Sequence, residues 1–142
     1  MDAPVDDNPC RAALIAAAAK SQIGVSFRLH GRSAGVMLDC VGLVEVALVS
    51  AGYRVEVPTT YSMRGDFVAL ASHCLAASGL KRQISGALSV GDIVLVQCGP
   101  LQNHVMIAVD GGFVHAHAGL RNIVFTPGAS IWPILQIWRG SA

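Results

Sequence analysis

The sequence predicts an α+β domain in which N-terminal helices pack on a C-terminal antiparallel sheet. Of its 142 residues, 53% are hydrophobic and 13% are charged, which is typical of one compact domain with a large core. Helix-length apolar segments occupy the first half, and from residue 91 the pattern changes to short runs of Val, Ile and aromatic residues. A net charge of +1 without a basic stripe argues against nucleic acid or an anionic membrane as a partner. The chain is interpreted as a single domain, 1–142, with a flexible N-terminus over about residues 1–7.

Three helices are predicted before residue 80. The first should start at Asn8 and Pro9, a capping side chain followed by the residue that lacks an N–H, and run to about residue 22. The segment 24–37 contains three glycines and little periodicity, so it is predicted to cross the surface as a loop. Further helices are expected over about 39–51 and about 63–77.

Five strands are predicted after residue 90, in the runs GDIVLVQC, NHVMIAVD, GFVHAHA, NIVFT and WPILQIW. Asp110-Gly111-Gly112 separates the second run from the third and is suited to a tight hairpin turn. Helices first and an antiparallel meander afterwards are the arrangement of an α+β domain. Trp132 and Trp138 are expected to pack in the core or at a sheet edge.

Asp39 and Cys40 mark the start of the second predicted helix. Asp39 suits the N-cap position, which places Cys40 at the first helical position, where unpaired backbone N–H groups and the helix dipole favour a thiolate. A thiolate there would be a nucleophile, although a cysteine taken alone is more often a small buried hydrophobe. Cys10 and Cys74 lie at helix-period positions and are expected in the core. The four cysteines form no CxxC pair, which fits reduced thiols.

Three histidines share one face of the predicted hairpin. Period-2 alternation and a two-residue turn place His104, His115 and His117 on the same side of the sheet. A cysteine nucleophile needs a base and a partner that orients the base, and such histidines supply both. A solvated strand face is the simpler explanation of either later histidine. A zinc site built from Cys98, His104 and one or both of the later histidines is the rival chemical interpretation.

Three segments resemble, in order, the motifs of NlpC-type cell-wall cysteine peptidases: DCVGLV, GDIVLV and HVMIAVDGGFVHA. The usual family forms are Asp-Cys-Ser-Gly-Leu-Val, Gly-Asp-Leu-Val, and His-Val-Gly-Ile-Tyr closing on Phe-Ile-His-Ala. The resemblance runs from about Ala12 to the end and includes GVSFRLHG, which parallels the family's Gly-x-x-Tyr-x-x-Gly-Gly. It implies a papain-like fold and cleavage of amide bonds in peptidoglycan stem peptides, typically beside a D-isoglutamyl residue.

The same resemblance assigns roles to individual residues. Cys40 would be the nucleophile, His104 the base and His115 the residue that orients the base. His117 competes for that last role, because an Asp110-Gly111 turn sets it directly opposite His104. This chemistry requires neither a metal nor another cofactor.

The family's loop tyrosine, whose hydroxyl is thought to help hold the oxyanion, is replaced here by Phe27, which has no donor. His30 and Tyr61 are candidate replacements, with Asp39 supporting the same region, and the backbone N–H of Cys40 is a further donor. Tyr61 is also a candidate substrate contact. Arg28 and Arg32 lie near the expected cleft, where they would meet stem-peptide carboxylates or simply line a solvated loop.

The acidic start, MDAPVDDNP, does not resemble a secretory signal, so the chain is expected to be made in the cytoplasm and exported by a non-Sec route. A peptidase carried in a phage or gene-transfer-agent tail, with tail proteins as partners, is the preferred interpretation. A toxin-like amidase effector is the second. The third is a catalytically degenerate module that binds the cell wall or serves as a structural tail part, for which Phe27 is the motive.

Overall fold

A computed structural model describes residues 10–58, 61–62, 66–84 and 87–140. Within them lie three helices: α1 (Arg11–Ser21), α2 (Cys40–Ser50) and α3 (Phe67–Ala77). Nine strands are present there: β1 (Ser26–Phe27), β2 (Arg32–Ser33), β3 (Met37–Leu38), β4 (Lys81–Gln83), β5 (Ile93–Gly99), β6 (Gln102–Val109), β7 (Gly112–His117), β8 (Asn122–Pro127) and β9 (Ile134–Arg139). The predicted α+β class is therefore confirmed.

The helix α2 is the central helix of the core. Leu43, Ala47 and Leu48 are completely buried, because α2 packs against both α1 and β6. Asp39 is its N-cap residue, and Ala51 ends it. Such a helix, held on several sides, is a rigid support for a reacting group at its first turn.

The start of α1 differs from the prediction. The described helix begins at Arg11 with Cys10 as its N-cap residue, and Cys10 is exposed, so its expected place in the core is wrong. Because Cys10 precedes the first helical turn, its side chain does not lie on the face of α1 that packs against the core. Asn8 and Pro9, like the expected flexible segment 1–7, lie outside the described residues. Cys74, by contrast, is buried on α3 as predicted.

The sheet has the strand order β2-β3-β1-β8-β7-β6-β5-β9-β4. The strands β5 to β8 form the predicted antiparallel meander, and β9 returns to pair with β5. The segment 24–37, predicted as a loop, instead contributes three two-residue strands, with β1 and β3 parallel. Strands this short leave no period-2 pattern in a sequence, which is why they were not predicted.

The turn between β6 and β7 is the two-residue turn that the sequence indicates. Val109 pairs with Gly112, so Asp110 and Gly111 form the loop, and Gly111 has a φ of 82° that suits glycine. This register puts alternate side chains of β6 and β7 on a common face. It is the feature that gathers the histidines.

The Gly-Asp pair at the start of GDIVLV is structural. Asp92 is completely buried. Its carboxylate accepts hydrogen bonds from Nε and Nη2 of Arg139 at 2.8 and 2.9 Å, which ties the start of β5 to β9. Gly91 has a φ of 92°, and a Cβ there would lie 2.6 Å from the carbonyl oxygen of Ala12. The motif therefore joins the sheet to α1. No helix among the described residues is long and apolar enough to cross a membrane.

Candidate active site

The thiol of Cys40 lies at the first turn of α2, beneath the sheet. Oδ1 of Asp39 accepts the backbone N–H of Gly42 at 2.7 Å, which is the predicted N-cap hydrogen bond. Cys40 is only 2% exposed. Burial first, and then the negative charge of Asp39, raise the pKa of Cys40 to about 12, against weaker stabilisation of the thiolate by backbone groups that include Val105. Desolvation thus opposes the effect of the helix terminus and favours the protonated thiol over the expected thiolate.

Asp39 does more than cap the helix. Its buried carboxylate also accepts the backbone N–H of His30 at 2.8 Å, Nη1 of Arg32 at 3.0 Å and the hydroxyl of Tyr61. Arg32 in turn pairs through Nε with Glu45 on α2 at 2.8 Å. Burial and the hydrogen bond to Asp39 raise the pKa of Tyr61, so its hydroxyl keeps the proton it donates. These contacts tie the 24–37 segment and Tyr61 to the start of α2.

His104 and His115 form a direct pair on β6 and β7. Nε2 of His104 lies 3.2 Å from Nδ1 of His115, and the rings meet edge to face with centroids 5.3 Å apart. On the far side, Nε2 of His115 lies 2.8 Å from Oγ1 of Thr126 on β8. His115 is 2% exposed, whereas His104 is half-buried. The three polar side chains therefore make a continuous hydrogen-bonded row across adjacent strands.

Both imidazoles are held in the neutral form. Burial, followed by the charges of His115 and His117, lowers the pKa of His104 to about 3. Burial and His117 also lower the pKa of His115. These pKa shifts favour a protonated Cys40 thiol and uncharged imidazoles at neutral pH.

Val105 connects the thiol to the histidine row. Its backbone contributes to the environment of the Cys40 sulfur, and it is the residue that follows His104 on β6. Because Nε2 of His104 faces His115, Nδ1 is the nitrogen left to accept a proton. The start of α2 therefore lies against β6 at the residue next to His104.

His117 takes a different environment. Nδ1 of its ring accepts the backbone N–H of Leu120 at 3.0 Å, and its ring centroid lies 6.1 Å from that of His115. On β6, the pairing with β7 extends only from Val109 to Ile107, so the strands are no longer paired where His104 and His117 would oppose each other. His115, rather than His117, contacts His104.

Trp132 forms a wall over the histidine pair. Its ring meets His104 and His115 edge to face, at 5.8 and 5.7 Å between centroids. An open cavity lies beside this wall and is lined by Cys98, Ala116, Gly119 and the three histidines. Trp138 is buried and Trp132 packs against a core cluster, as expected for both, but Trp132 in addition contacts the histidine pair.

The remaining predicted residues divide into two groups. Arg32, Tyr61 and the backbone of His30 are held by Asp39, while the ring of His30 contacts the carbonyl oxygen of Tyr61 at 2.9 Å. Arg28 is exposed, and Phe27 is half-buried on β1, packed against the core. His30 adopts a φ of 63°, at one of the positions where the family motif carries glycine.

No group of three or more histidine, cysteine, aspartate or glutamate side chains suitable for a metal ion occurs in the described part of the chain. The zinc interpretation lacks a geometric basis there: Sγ of Cys98 contacts the carbonyl oxygen of Gln102 at 3.7 Å, and both nitrogens of His115 have other neighbours. Sequence reasoning missed Thr126 and Trp132. Alternation in NIVFT could have placed Thr126 on one face of its strand, but not beside His115.

A sequence profile of the NlpC/P60 family matches residues 24–130, and the protein belongs to this family. Its fold is similar to that of NlpC1 from Trichomonas vaginalis, with a TM-score of 0.69, 18% identity and coverage of 94% of this chain and 46% of the other. RipB, a peptidoglycan hydrolase of Mycobacterium tuberculosis, gives a TM-score of 0.58, 20% identity and coverage of 91% and 64%.

RipD of Mycobacterium tuberculosis, a non-catalytic NlpC/p60 domain protein adapted to peptidoglycan binding, gives a TM-score of 0.59, 17% identity and coverage of 92% and 97%. At these identities the likeness concerns the fold. The chain spans about half the length of the Trichomonas vaginalis proteins that it matches. A search of curated proteins found no match.

Proposed function

We propose that this protein is a cysteine peptidase that hydrolyses an amide bond in peptidoglycan stem peptides, with Cys40 as nucleophile, His104 as base and His115 as its orienting partner. The contact between Nε2 of His104 and Nδ1 of His115, at 3.2 Å, carries the proposal. It orients a neutral imidazole on the strand that borders the buried thiol. Family membership and a fold shared with the hydrolase RipB support the substrate class.

The chemistry follows from the protonation states. Sγ of Cys40 attacks the amide carbon while its proton passes to Nδ1 of His104, and the backbone N–H of Cys40 donates to the developing oxyanion. His104 then gives this proton to the leaving amine as the C–N bond breaks, which leaves a thioester. Water attacks the thioester with His104 again as base, releasing the carboxylate and the thiol.

A protonated Cys40 thiol and a neutral His104 imidazole make catalysis depend strongly on the base. A preformed thiolate would depend on it less. A Cys40 pKa of about 12 leaves very little thiolate at pH 7, so His104 must act during the attack itself. Burial lowers the pKa of His104, so its imidazole is neutral at pH 7 and has a nitrogen that can accept the proton. A bound substrate would therefore meet a protonated Cys40 thiol and a neutral His104 imidazole.

Substrate recognition belongs to the exposed side of the same cleft. Arg28 is the cation that remains exposed for a stem-peptide carboxylate, since Arg32 is engaged by Asp39 and Glu45. Tyr61 and His30 would shape the site through Asp39. Delivery in a phage-like tail, or export by another non-Sec route, stays a prediction.

The test is digestion of purified sacculi followed by mass spectrometry of the released fragments. We expect fragments from the wild type and from Cys10→Ala, whose thiol is exposed at the start of α1, but none from Cys40→Ala or His104→Ala. Fragments that persist in Cys40→Ala would contradict the proposal. The masses identify the scissile bond.

A second function is favoured by one observation: Phe27 provides no hydroxyl for the oxyanion, and the family includes the non-catalytic RipD. A wall-binding module would sediment with sacculi without releasing fragments. Binding of sacculi by both wild type and Cys40→Ala, with no fragments released by either protein, would favour this alternative.

A further inference from the structure

The second ring nitrogen of His115, Nε2, contacts the side chain of Thr126 on the neighbouring strand. Oγ1 of Thr126 lies 2.8 Å from Nε2 of His115, within ordinary hydrogen-bond range. Thr126 pairs with Phe113 and His115 pairs with Val124 in the same register of β7 and β8, so the two polar side chains are diagonal neighbours on one face. The contact is therefore built into the sheet.

The hydrogen bonds along this row are linked, so the proton positions are not independent. If Thr126 accepts from Nε2–H of His115, then Nδ1 of His115 is an acceptor, and Nε2 of His104 must carry its proton. Nδ1 of His104 is then an unprotonated acceptor, ready for the thiol proton. In the opposite arrangement Nδ1 of His104 carries the proton, and the ring cannot act as a base.

The surroundings of Thr126 allow its hydroxyl oxygen to accept a hydrogen bond from Nε2 of His115. Thr126 is half-exposed and, with Ser130, lines an open cavity beside His115, so its own hydrogen can be donated to solvent. The lone pairs of its oxygen are then left for the histidine. Trp132 packs edge to face against both imidazoles and so helps to hold them in place.

We propose that Thr126 is a positioning residue that selects the tautomers of His115 and His104, leaving Nδ1 of His104 unprotonated. Its catalytic meaning rests on the proposed function, because only a cysteine peptidase needs that nitrogen as a base. The tautomers themselves exist without substrate. Thr126 acts through His115 and touches no reacting atom.

The experiment is long-range ¹H–¹⁵N NMR of the full chain labelled with ¹⁵N, which distinguishes protonated from unprotonated ring nitrogens. Spectra of His104→Gln and His115→Gln assign the signals. At pH 7 we expect the wild type to show protonated Nε2 and unprotonated Nδ1 in both rings. Thr126→Val should give a mixture of tautomers, and Thr126→Ser should restore the wild-type state.

Ser50→Ala is the control, because it removes a hydroxyl that contacts the carbonyl oxygen of Val46 at the far end of α2 and should leave the tautomers unchanged. Alkylation of Cys40 should slow about tenfold or more in Thr126→Val and recover in Thr126→Ser, since a ring in the wrong tautomer cannot take the proton. A structural role alone would change stability without moving ring protons.

Two results would overturn the proposal. One is a wild-type spectrum with the proton of His104 on Nδ1, which needs no variant to fold. The other is a folded Thr126→Val protein with wild-type tautomers. If the tautomers are as proposed and sacculi are not digested, the peptidase function fails and the role of Thr126 in selecting them stands.

Discussion

Replacing Asp39 with asparagine should destabilise the fold and at the same time make Cys40 more acidic. The Asp39 carboxylate is completely buried and accepts four donors, from Gly42, His30, Arg32 and Tyr61. Asparagine is as good an N-cap and keeps one oxygen for its donors. It removes the charge that faces Arg32 and replaces the second oxygen with an amide donor.

The structure sets the size of the effect. Removing one member of a buried ion pair costs about 3–5 kcal/mol, because the other charge is left without its partner. Here Arg32 keeps Glu45 at 2.8 Å, and the cap survives in asparagine, so we expect about 3 kcal/mol for Asp39→Asn. Asp39→Ala also loses the cap, worth about 1 kcal/mol, and should reach about 4 kcal/mol.

Urea unfolding measures the free energy, and Asp66→Asn is the matched control. Asp66 is the N-cap residue of α3, but it is exposed and makes no side-chain cap hydrogen bond, so its change should stay within about 0.5 kcal/mol. The pH dependence of alkylation should show a lower Cys40 pKa in folded Asp39→Asn, since the negative charge beside the thiol is gone. A loss below about 1 kcal/mol with an unchanged denaturant slope would refute the assignment of Asp39 as the anchor of this region.

Three further changes test other parts of the site. Phe27→Tyr should raise the rate of sacculus digestion about 100-fold if a missing oxyanion donor limits the enzyme, and an unchanged rate with intact folding would show that another group supplies it. The pKa of His104 is lowered below its unfolded value near 6.5, so this group's stability contribution is present above pH 6.5 and lost as the pH falls toward about 3. The free energy of unfolding should be lower at pH 5 than at pH 7, and His104 should account for at most about 2 kcal/mol of this difference after allowance for its partial exposure. His104→Gln should remove that part of the difference. Gly42→Ala should cost about 2 to 3 kcal/mol, because its methyl group would overlap the carbonyl oxygen of Gly31; a wild-type midpoint in thermal unfolding would contradict this close packing.

The order of helices and strands could be predicted because it depends on local patterns. Asp39 before an apolar run is sufficient to predict the start of α2, and the Asp110-Gly111 turn predicts the register that places His104 and His115 on one face. Cys10 was misplaced because apolar periodicity continued past the true helix start. The short strands β1 to β3 depend on pairing with distant residues, which no local pattern reveals.

The amino-acid sequence by itself determined the α+β class, the position of Cys40 at a helix start and the family to which the chain belongs, because capping, periodicity and motif order are local properties. The tertiary structure alone decided the protonation state of the site. The pKa values of Cys40 and His104 depend on burial by elements far apart in the chain, and this burial outweighs the helix terminus. It also decided the partners of Arg32 and the contact of Thr126 with His115, since both require strands and loops distant in sequence to meet within hydrogen-bond range.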